Sequence, residues 1–233
     1  MIVALNNKCN LTKKEFREYQ IKLQEVKTTS KLILCPSFLY LDQFNLTNIK
    51  LGAQNVSTTD CGAYTGEVSA KQLKEENVDY CIVGHSERRE YQQEKNEEIN
   101  EKIKRLFSYQ ITPILCVGEK RSEREEGLEK QVVLKELTMA TKDLTEEEKG
   151  KVIIAYEPIW SIGTGLIPTA EQIIEIIHTI KEMFPQNKVL YGGSANEENI
   201  DTLKEISEID GYLLGGLSLK PEKLQIFLEK LEK

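Results

Sequence analysis

The sequence has 233 residues, of which 39% are hydrophobic and 30% are charged, and its formal net charge at pH 7 is −7. These proportions are typical of a globular protein and exclude a disordered chain. A net negative charge disfavours binding to nucleic acids or anionic membranes, so we expect neither as a partner. No apolar run has the length of a membrane span or a signal peptide, and the five cysteines form no C-x-x-C pair. We therefore expect a cytoplasmic protein with reduced thiols.

Eight short apolar runs follow one another along the chain. They occupy residues 2–5, 32–35, 51–54, 80–83, 114–117, 152–155, 189–191 and 211–214. A short apolar run that does not alternate with polar residues, such as residues 152–155, is typical of a parallel strand buried on both faces.

Helical patterns separate most of these runs. Capping-box spacing, in which Ser or Thr precedes Glu or Gln by three residues, begins at Thr12, Ser69, Ser122 and Thr169. Strands that alternate with helices form a parallel sheet with right-handed crossovers, and eight such units close into a barrel more naturally than they leave two edges exposed. The sequence therefore predicts one α/β domain over residues 1–233, a single (β/α)8 barrel.

Three ionisable residues follow predicted strands at the carboxyl end, where a barrel collects its functional groups. Lys8 lies beyond the first strand, His85 beyond the fourth, and Glu157 just beyond the sixth. A cation, an electrophile or proton shuttle, and a base that face one cavity are suited to acid–base catalysis. Each residue alone is also compatible with a surface lysine, a helix-starting histidine or a solvated glutamate, and only their combination favours an active site.

Glycine-rich loops follow the sixth, seventh and eighth predicted strands. The last two contain Gly192-Gly193-Ser194 and Gly215-Gly216, at the usual phosphate site of such barrels, where backbone N–H groups bind the anion. The loop after Glu157 contains Gly163 and Gly165, which suits a lid that closes over a small anion. The sequence thus predicts a small phosphorylated substrate.

Six motifs, in one order, carry a resemblance that covers essentially the whole chain. They are Asn6-x-Lys8, GHSERR at 84–89, CVGE at 116–119, AYEPIWSIGTG at 155–165, YGGS at 191–194 and LLGG at 213–216. In these motifs the chain resembles the triosephosphate isomerases. The resemblance implies a TIM barrel that interconverts dihydroxyacetone phosphate and D-glyceraldehyde 3-phosphate through an enediolate, in glycolysis and gluconeogenesis, without a cofactor.

The resemblance also implies a role for each matching residue. Glu157 would be the base that moves a proton between two carbons, and His85 would polarise or protonate the substrate oxygens. Lys8 would supply positive charge and bind substrate, while Asn6 would help to orient the site. The backbone N–H groups that would bind phosphate belong to Gly163, Ser194, Gly215 and Gly216.

Further residues would support the site by the same resemblance: Ser86, Glu87, Ile162, Leu213, Trp160 and Glu119. Glu87 would be a carboxylate behind the site, with Ser86 beside it. Ile162 and Leu213 would exclude water from the intermediate, which can lose its phosphate in water. Trp160 and Glu119 would hydrogen bond when the lid closes.

The long loop of residues 54–67 is implied to dock beside the first loop of a second subunit, near Lys8 and Cys9. We therefore expect a homodimer, because a loop of this length in a compact domain usually has a task. Three residues depart from the family pattern: Asn7 replaces an aromatic residue, Ser161 replaces Ala, and Leu217 stands where Ala is common. None of these departures removes a catalytic group.

Two other functions stay open from the residues themselves. The glycine loops alone would suit another phosphate-binding barrel, acting on an indole, ribose or pyridoxal phosphate, although Glu157 in its lid motif argues against this. A non-catalytic binding protein of the same fold is the other, and the presence of Lys8, His85 and Glu157 argues against it. No metal site is expected, because the only other histidine, His178, has no acidic or Cys partner at ligand spacing on its predicted helix.

Overall fold

The computed structural model describes residues 1–162 and 166–233. The strands of this part are β1 (Ile2–Asn6), β2 (Lys31–Cys35), β3 (Lys50–Ala53), β4 (Tyr80–Val83), β5 (Thr112–Val117), β6 (Ile153–Tyr156), β7 (Val189–Tyr191) and β8 (Gly211–Leu214). Each strand pairs in parallel with the next along the chain, and β8 pairs with β1, so the sheet closes. The predicted (β/α)8 barrel is confirmed, and every predicted apolar run lies on one strand to within two residues.

The helices of the described residues surround this barrel. They are α1 (Lys13–Gln24), α2 (Ala70–Glu75), α3 (Ser86–Tyr91), α4 (Asn96–Ser108), α5 (Arg121–Glu125), α6 (Glu129–Ala140), α7 (Glu146–Lys151), α8 (Ala170–Met183), α9 (Ile200–Leu203) and α10 (Pro221–Leu231). Short 3-10 helices occupy Phe38–Gln43, Ile159–Ser161 and Gly216–Leu219. Within the described ranges, no helix combines the length and apolar character needed to cross a membrane.

Three of the four predicted capping boxes are present. Thr12, Ser69 and Thr169 each precede a helix, and each side chain accepts a hydrogen bond from the backbone three residues later. The prediction at Ser122 is wrong, because α5 begins at Arg121, two residues before the start that a cap at Ser122 would give. The Lys120 N–H donates to the carboxylate of Glu123 at 2.7 Å, which leaves Ser122 inside the first turn.

The strands are buried on both faces, which explains their unbroken apolar runs. Inside the barrel, alternate positions form one layer of side chains: Ala4, Ile33, Cys35, Tyr80, Ile82, Ile114, Cys116, Ile153, Ala155, Leu190 and Leu213. The intervening positions, such as Leu5 and Ile154, pack outward against helix residues such as Ile177 of α8. Full burial of one such side chain stabilises the fold by roughly 1.5–3 kcal/mol, so this double layer holds the strand ends in fixed positions.

Candidate active site

A cavity of about 410 Å³ opens at the carboxyl ends of the strands. Most residues predicted to touch substrate line it: Asn6, Lys8, His85, Glu157, Ile162, Ser194, Leu213, Gly215 and Gly216. Parallel strands of a closed barrel all end at one rim, which is why residues so far apart in sequence meet there. Gly163, which was also predicted to bind phosphate, lies outside the described residues.

Glu157 and His85 face each other inside the cavity, where they are only 2% and 5% exposed. The Glu157 Oε1 atom lies 3.1 Å from His85 Nε2, and its Oε2 atom accepts a hydrogen bond from the Ser86 N–H at 3.0 Å. The Glu87 N–H donates to His85 Nδ1 at 3.2 Å. Because Nδ1 accepts, the imidazole proton is assigned to Nε2 in the neutral ring. His85 therefore presents a proton donor to the cavity beside a carboxylate.

Lys8 brings a positive charge to the cavity. Its Nζ atom pairs with Glu87 Oε1 at 2.6 Å. The backbone of Lys8 is in the left-handed region, with φ of 52°, and its N–H donates to Asn6 Oδ1 at 3.0 Å. The Gln54 side chain donates to the Lys8 carbonyl at 3.0 Å. These contacts fix a backbone conformation that a lysine rarely adopts.

The glycine loops after β7 and β8 form the remaining wall. The hydroxyl of Ser194 donates to the Ser161 carbonyl at 2.9 Å, which ties the loop after β7 to the start of the lid. A Cβ on Gly215 would lie 3.1 Å from Lys8 Cε, whereas a Cβ on Gly216 would meet nothing within 4 Å. The loop after β8 thus approaches the lysine closely at Gly215 and leaves space at Gly216.

Glu119 holds the first residues after β6, where the predicted lid begins. It is fully buried, and its Oε1 atom accepts hydrogen bonds from Trp160 Nε1 at 2.8 Å and from the Tyr156 hydroxyl at 3.2 Å. Arg124 donates to the same oxygen at 2.8 Å, and its guanidinium lies 5.5 Å from the centre of the Trp160 ring. The predicted pair of Trp160 and Glu119 is therefore in hydrogen-bond contact.

Comparison with known proteins places the whole chain in one family. A family model described as triosephosphate isomerase matches residues 1–231. The chain belongs to the triosephosphate isomerase family. It is 40% identical to a triosephosphate isomerase of Clostridium botulinum (strain Langeland) over 236 aligned residues, covering 95% of each chain.

Two further triosephosphate isomerases give similar values. The chain is 42% identical to that of Dictyoglomus turgidum, over 90% of this chain and 88% of the relative. It is 41% identical to that of Clostridium perfringens (strain 13), over 94% of each chain. Near-complete coverage agrees with the six triosephosphate isomerase motifs, which run from β1 to β8.

Two residues near the candidate site, Arg89 and Glu136, are not among the predicted site residues. Arg89, on α3, donates to the Gly84 carbonyl at 2.7 Å and pairs with Glu136 of α6 at 3.2 Å. Glu136 also accepts from the Gly118 N–H at 2.9 Å, and a Cβ on Gly118 would lie 1.7 Å from the Glu157 carbonyl oxygen. Arg89 lies within the GHSERR motif, but nothing in the local sequence indicates that Glu136 is its partner.

Burial decides the protonation of Glu136. It raises the pKa of this carboxyl group from 4.5 to about 7, although Arg89 and the Gly118 N–H act in the opposite direction. An ion pair with Arg89 would by itself predict a lowered pKa. The loss of hydration outweighs the pair, and the negative charges of Glu123 and Glu157 raise the pKa of Glu136 further.

The second histidine is remote from the cavity. His178 lies on α8, and its Nε2 atom is 3.4 Å from Glu182 Oε1, with both side chains largely exposed. The prediction that His178 has no acidic partner at ligand spacing is wrong, because Glu182 is one helical turn further on. Across residues 1–162 and 166–233, no group of three or more His, Cys, Asp or Glu side chains is arranged to hold a metal ion.

Proposed function

We propose that this chain is a triosephosphate isomerase that interconverts dihydroxyacetone phosphate and D-glyceraldehyde 3-phosphate through an enediolate. The observation that carries the proposal is the Glu157 carboxylate, 3.1 Å from the neutral His85 Nε2 atom in a cavity that also contains Lys8. Family membership supports the same reaction. Glycolysis and gluconeogenesis are the pathways in which this interconversion takes place.

Each polar group has a defined part in the proposed proton transfer. In the direction from dihydroxyacetone phosphate, Glu157 removes a proton from C1, the carbon next to the carbonyl carbon, and returns a proton to C2, the former carbonyl carbon. His85 donates its Nε2 proton to the carbonyl oxygen, which becomes negative in the enediolate. It then takes a proton back from the hydroxyl group on the adjacent carbon. Lys8 and the Asn6 amide stabilise the negative charge of the enediolate. The carboxylate and imidazole end each cycle in their starting forms, so no cofactor is required.

The phosphate group of the substrate is assigned to the glycine loops. We expect the backbone N–H groups of Ser194, Gly215 and Gly216 to bind it, together with Gly163 of the lid. The apolar side chains of Ile162 and Leu213 line the same cavity and would exclude water from the enediolate. The hydrogen bond from Trp160 to Glu119 would hold the start of the lid while it is closed.

We also propose that the 233 residues act as one cytoplasmic catalytic domain that forms a homodimer through residues 54–67. Large apolar side chains are exposed in this loop and elsewhere on the surface, with Leu39 74%, Tyr64 54% and Tyr91 70% exposed. Exposed apolar residues of this size are common at protein interfaces. The start of the loop already touches the active site of its own chain, because Gln54 donates to the Lys8 carbonyl at 3.0 Å.

Turnover of D-glyceraldehyde 3-phosphate in D2O tests the proposed reaction. We expect dihydroxyacetone phosphate carrying deuterium on carbon, because the carboxylate exchanges its proton with solvent. Glu157→Asp moves the carboxylate by about 1 Å and should lower kcat by roughly 100-fold, with little change in KM. The isosteric variant Glu157→Gln should lose more.

The other candidate functions give different results in this assay. A chain that turns over an indole, ribose or pyridoxal phosphate but no triose phosphate would be a different phosphate-binding barrel. A chain that binds phosphoglycolate without any turnover would be a binding protein. Full activity of Glu157→Gln would show that the base is another residue.

A further inference from the structure

Buried polar side chains join the loops after β1 and β8 behind the cavity. The register of these two strands ends at Leu5 and Leu214, so the strand ladder stops before the cavity residues begin. Ser218, on the short 3-10 helix after β8, continues the connection. Its hydroxyl donates to the Asn6 carbonyl at 3.0 Å and accepts from the side-chain amide of Asn7 at 3.2 Å.

Other hydrogen bonds hold Ser218 and Asn7 in place. The Tyr19 hydroxyl of α1 donates to the Ser218 carbonyl at 2.7 Å, and the Ser218 N–H donates to the Gly215 carbonyl at 2.9 Å. The Asn7 N–H donates to the Cys35 carbonyl at 3.2 Å. Asn7 and Ser218 are 1% and 0% exposed. Water therefore does not compete for these bonds, and the geometry between the two loops is strongly determined.

Asn7 lies directly before Lys8, the cation of the cavity. A left-handed φ at a non-glycine residue persists only where its surroundings hold it, and Lys8 has φ of 52°. The Lys8 side chain also packs over the loop after β8, since a Cβ on Gly215 would lie 3.1 Å from Lys8 Cε. Any movement of Asn7 relative to Ser218 therefore changes the spacing between the Lys8 ammonium group and the backbone of that loop.

The amide of Asn7 is poorly suited to a purely stabilising role. Its Oδ1 atom has no hydrogen-bond partner among the described residues. A buried polar atom without a partner destabilises a fold, whereas an apolar side chain of the same shape avoids that loss. The structure therefore indicates that this amide serves to position its neighbours.

We propose that Asn7 and Ser218 are positioning residues that lock the loop carrying Lys8 to the loop after β8. In this arrangement the Lys8 ammonium group and the backbone N–H groups of Gly215 and Gly216 meet one phosphate group of the substrate. The inference rests on the proposed function, because it assumes a phosphorylated substrate.

The variants Asn7→Leu and Ser218→Ala test this role, because each removes the hydrogen bond between the two side chains. We expect kcat/KM for glyceraldehyde 3-phosphate to fall roughly 10- to 100-fold, since misplacement by about 1 Å costs on the order of 100-fold. The Kd of phosphoglycolate should rise about tenfold. For D-glyceraldehyde, which has no phosphate, kcat/KM should fall several-fold less than for the phosphorylated substrate, because only the contact of Lys8 with the enediolate is disturbed.

Two controls distinguish a positioning role from a general loss of stability. The double variant should be little worse than either single variant, because both substitutions break the same bond. Asn100→Leu is a matched control: its buried amide donates to the Ala140 and Lys142 carbonyls at 2.9 and 2.8 Å, away from the cavity. This control should lose stability and keep its kcat/KM.

The outcomes that overturn the inference are distinct from failure of the proposed function. Folded Asn7→Leu protein with unchanged kcat/KM and phosphoglycolate affinity would refute it, as would equal losses for substrates with and without phosphate. Absence of turnover in the unaltered protein would refute the proposed reaction. The Kd of phosphoglycolate in the unaltered protein and in Asn7→Leu would still show whether Asn7 positions the two loops. If Ser218→Ala does not fold, the Asn7→Leu variant decides the test. This substitution also removes an unpaired buried oxygen, so we expect the variant to fold.

Discussion

At the scale of single residues, Lys8 is expected to contribute mainly through its charge. Lys8→Met retains most of the side-chain volume and removes the ammonium group that pairs with Glu87. The Kd of phosphoglycolate should rise by roughly two orders of magnitude, because a dianion loses its nearest cation in a partly buried site. Isothermal titration calorimetry measures the change. Lys8→Arg, which keeps the charge, should recover part of the affinity, and equal losses in both variants would contradict a charge effect.

Three neighbouring tyrosines on the strands allow a second test at this scale. Tyr156, Tyr191 and Tyr212 are all fully buried. The Tyr156 hydroxyl donates to Glu119, whereas the hydroxyls of Tyr191 and Tyr212 have no partner of ordinary hydrogen-bond geometry in the described part of the chain. Burial raises the pKa of Tyr191, and Ser161 nearby only partly opposes it.

Substitution of these tyrosines by Phe should therefore change the free energy of unfolding in two different ways. Tyr156→Phe should lower the free energy of unfolding by about 1–3 kcal/mol, because it leaves Glu119 with one donor fewer in a buried site. Tyr191→Phe and Tyr212→Phe should be neutral or stabilising. Urea unfolding of the three variants measures the difference. A loss at Tyr191 or Tyr212 as large as that at Tyr156 would mean that those hydroxyls have partners.

At the scale of secondary-structure elements, Glu136 makes the contact of α6 with the barrel depend on pH. Its pKa is raised from 4.5 to about 7 in the folded protein. Between these values the folded state binds a proton that the unfolded state has released, so the free energy of unfolding falls as the pH rises. The stabilisation by the protonated carboxyl is complete below 4.5 and is lost by about pH 7.

Glu136→Gln does not titrate and serves as the reference. The unfolding free energy of the unaltered protein relative to this variant should drop between about pH 5 and about pH 8, by up to roughly 1.4 kcal/mol per pH unit within the titration range. Urea unfolding at both pH values measures it. A relative stability that rises with pH would mean that the ion pair with Arg89 outweighs burial.

The elements themselves were predictable to different degrees. The eight strands were recognisable because double burial requires apolar residues at every position, and this leaves a signal in each short run. The start of α5 at Arg121 is not predictable from a capping residue, because Lys120 before it has no hydroxyl side chain and the Glu123 carboxylate makes the cap. Glu136 is not predictable because its partner Arg89 comes from another element, and only tertiary packing brings the two within hydrogen-bond distance. Arg124 lies only five residues from Glu119, but no sequence pattern indicates that it donates to this carboxylate.

The cavity residues were predictable for a different reason. Their positions follow from the topology, since a residue just beyond any strand of a closed parallel barrel must lie near the same rim. Lys8, His85 and Glu157 are predictable as cavity residues from the strand ends alone. The tautomer of His85 and the contact between Lys8 and Glu87 depend on side-chain geometry, which the spacing of residues does not determine.

At the scale of the whole molecule, the remaining prediction concerns the proposed homodimer. If the loop of residues 54–67 supports the partner's first loop, catalysis depends on association, and specific activity should fall on dilution below the dissociation constant of the dimer. Tyr64→Glu places a charge on an exposed apolar side chain of this loop and should shift the protein to monomers. Analytical ultracentrifugation measures the shift.

The matched control is Ile226→Glu on α10, which is 46% exposed compared with 54% for Tyr64 and lies outside the loop. It should leave both the molecular mass and kcat unchanged. In Tyr64→Glu we expect a folded monomer with a strongly reduced kcat, because the first loop of each chain would keep its contact with Gln54 but lose the partner's support. A monomer with full activity would show that the contact from Gln54 to the Lys8 carbonyl is sufficient within one chain. A dimer that persists would place the interface on another surface.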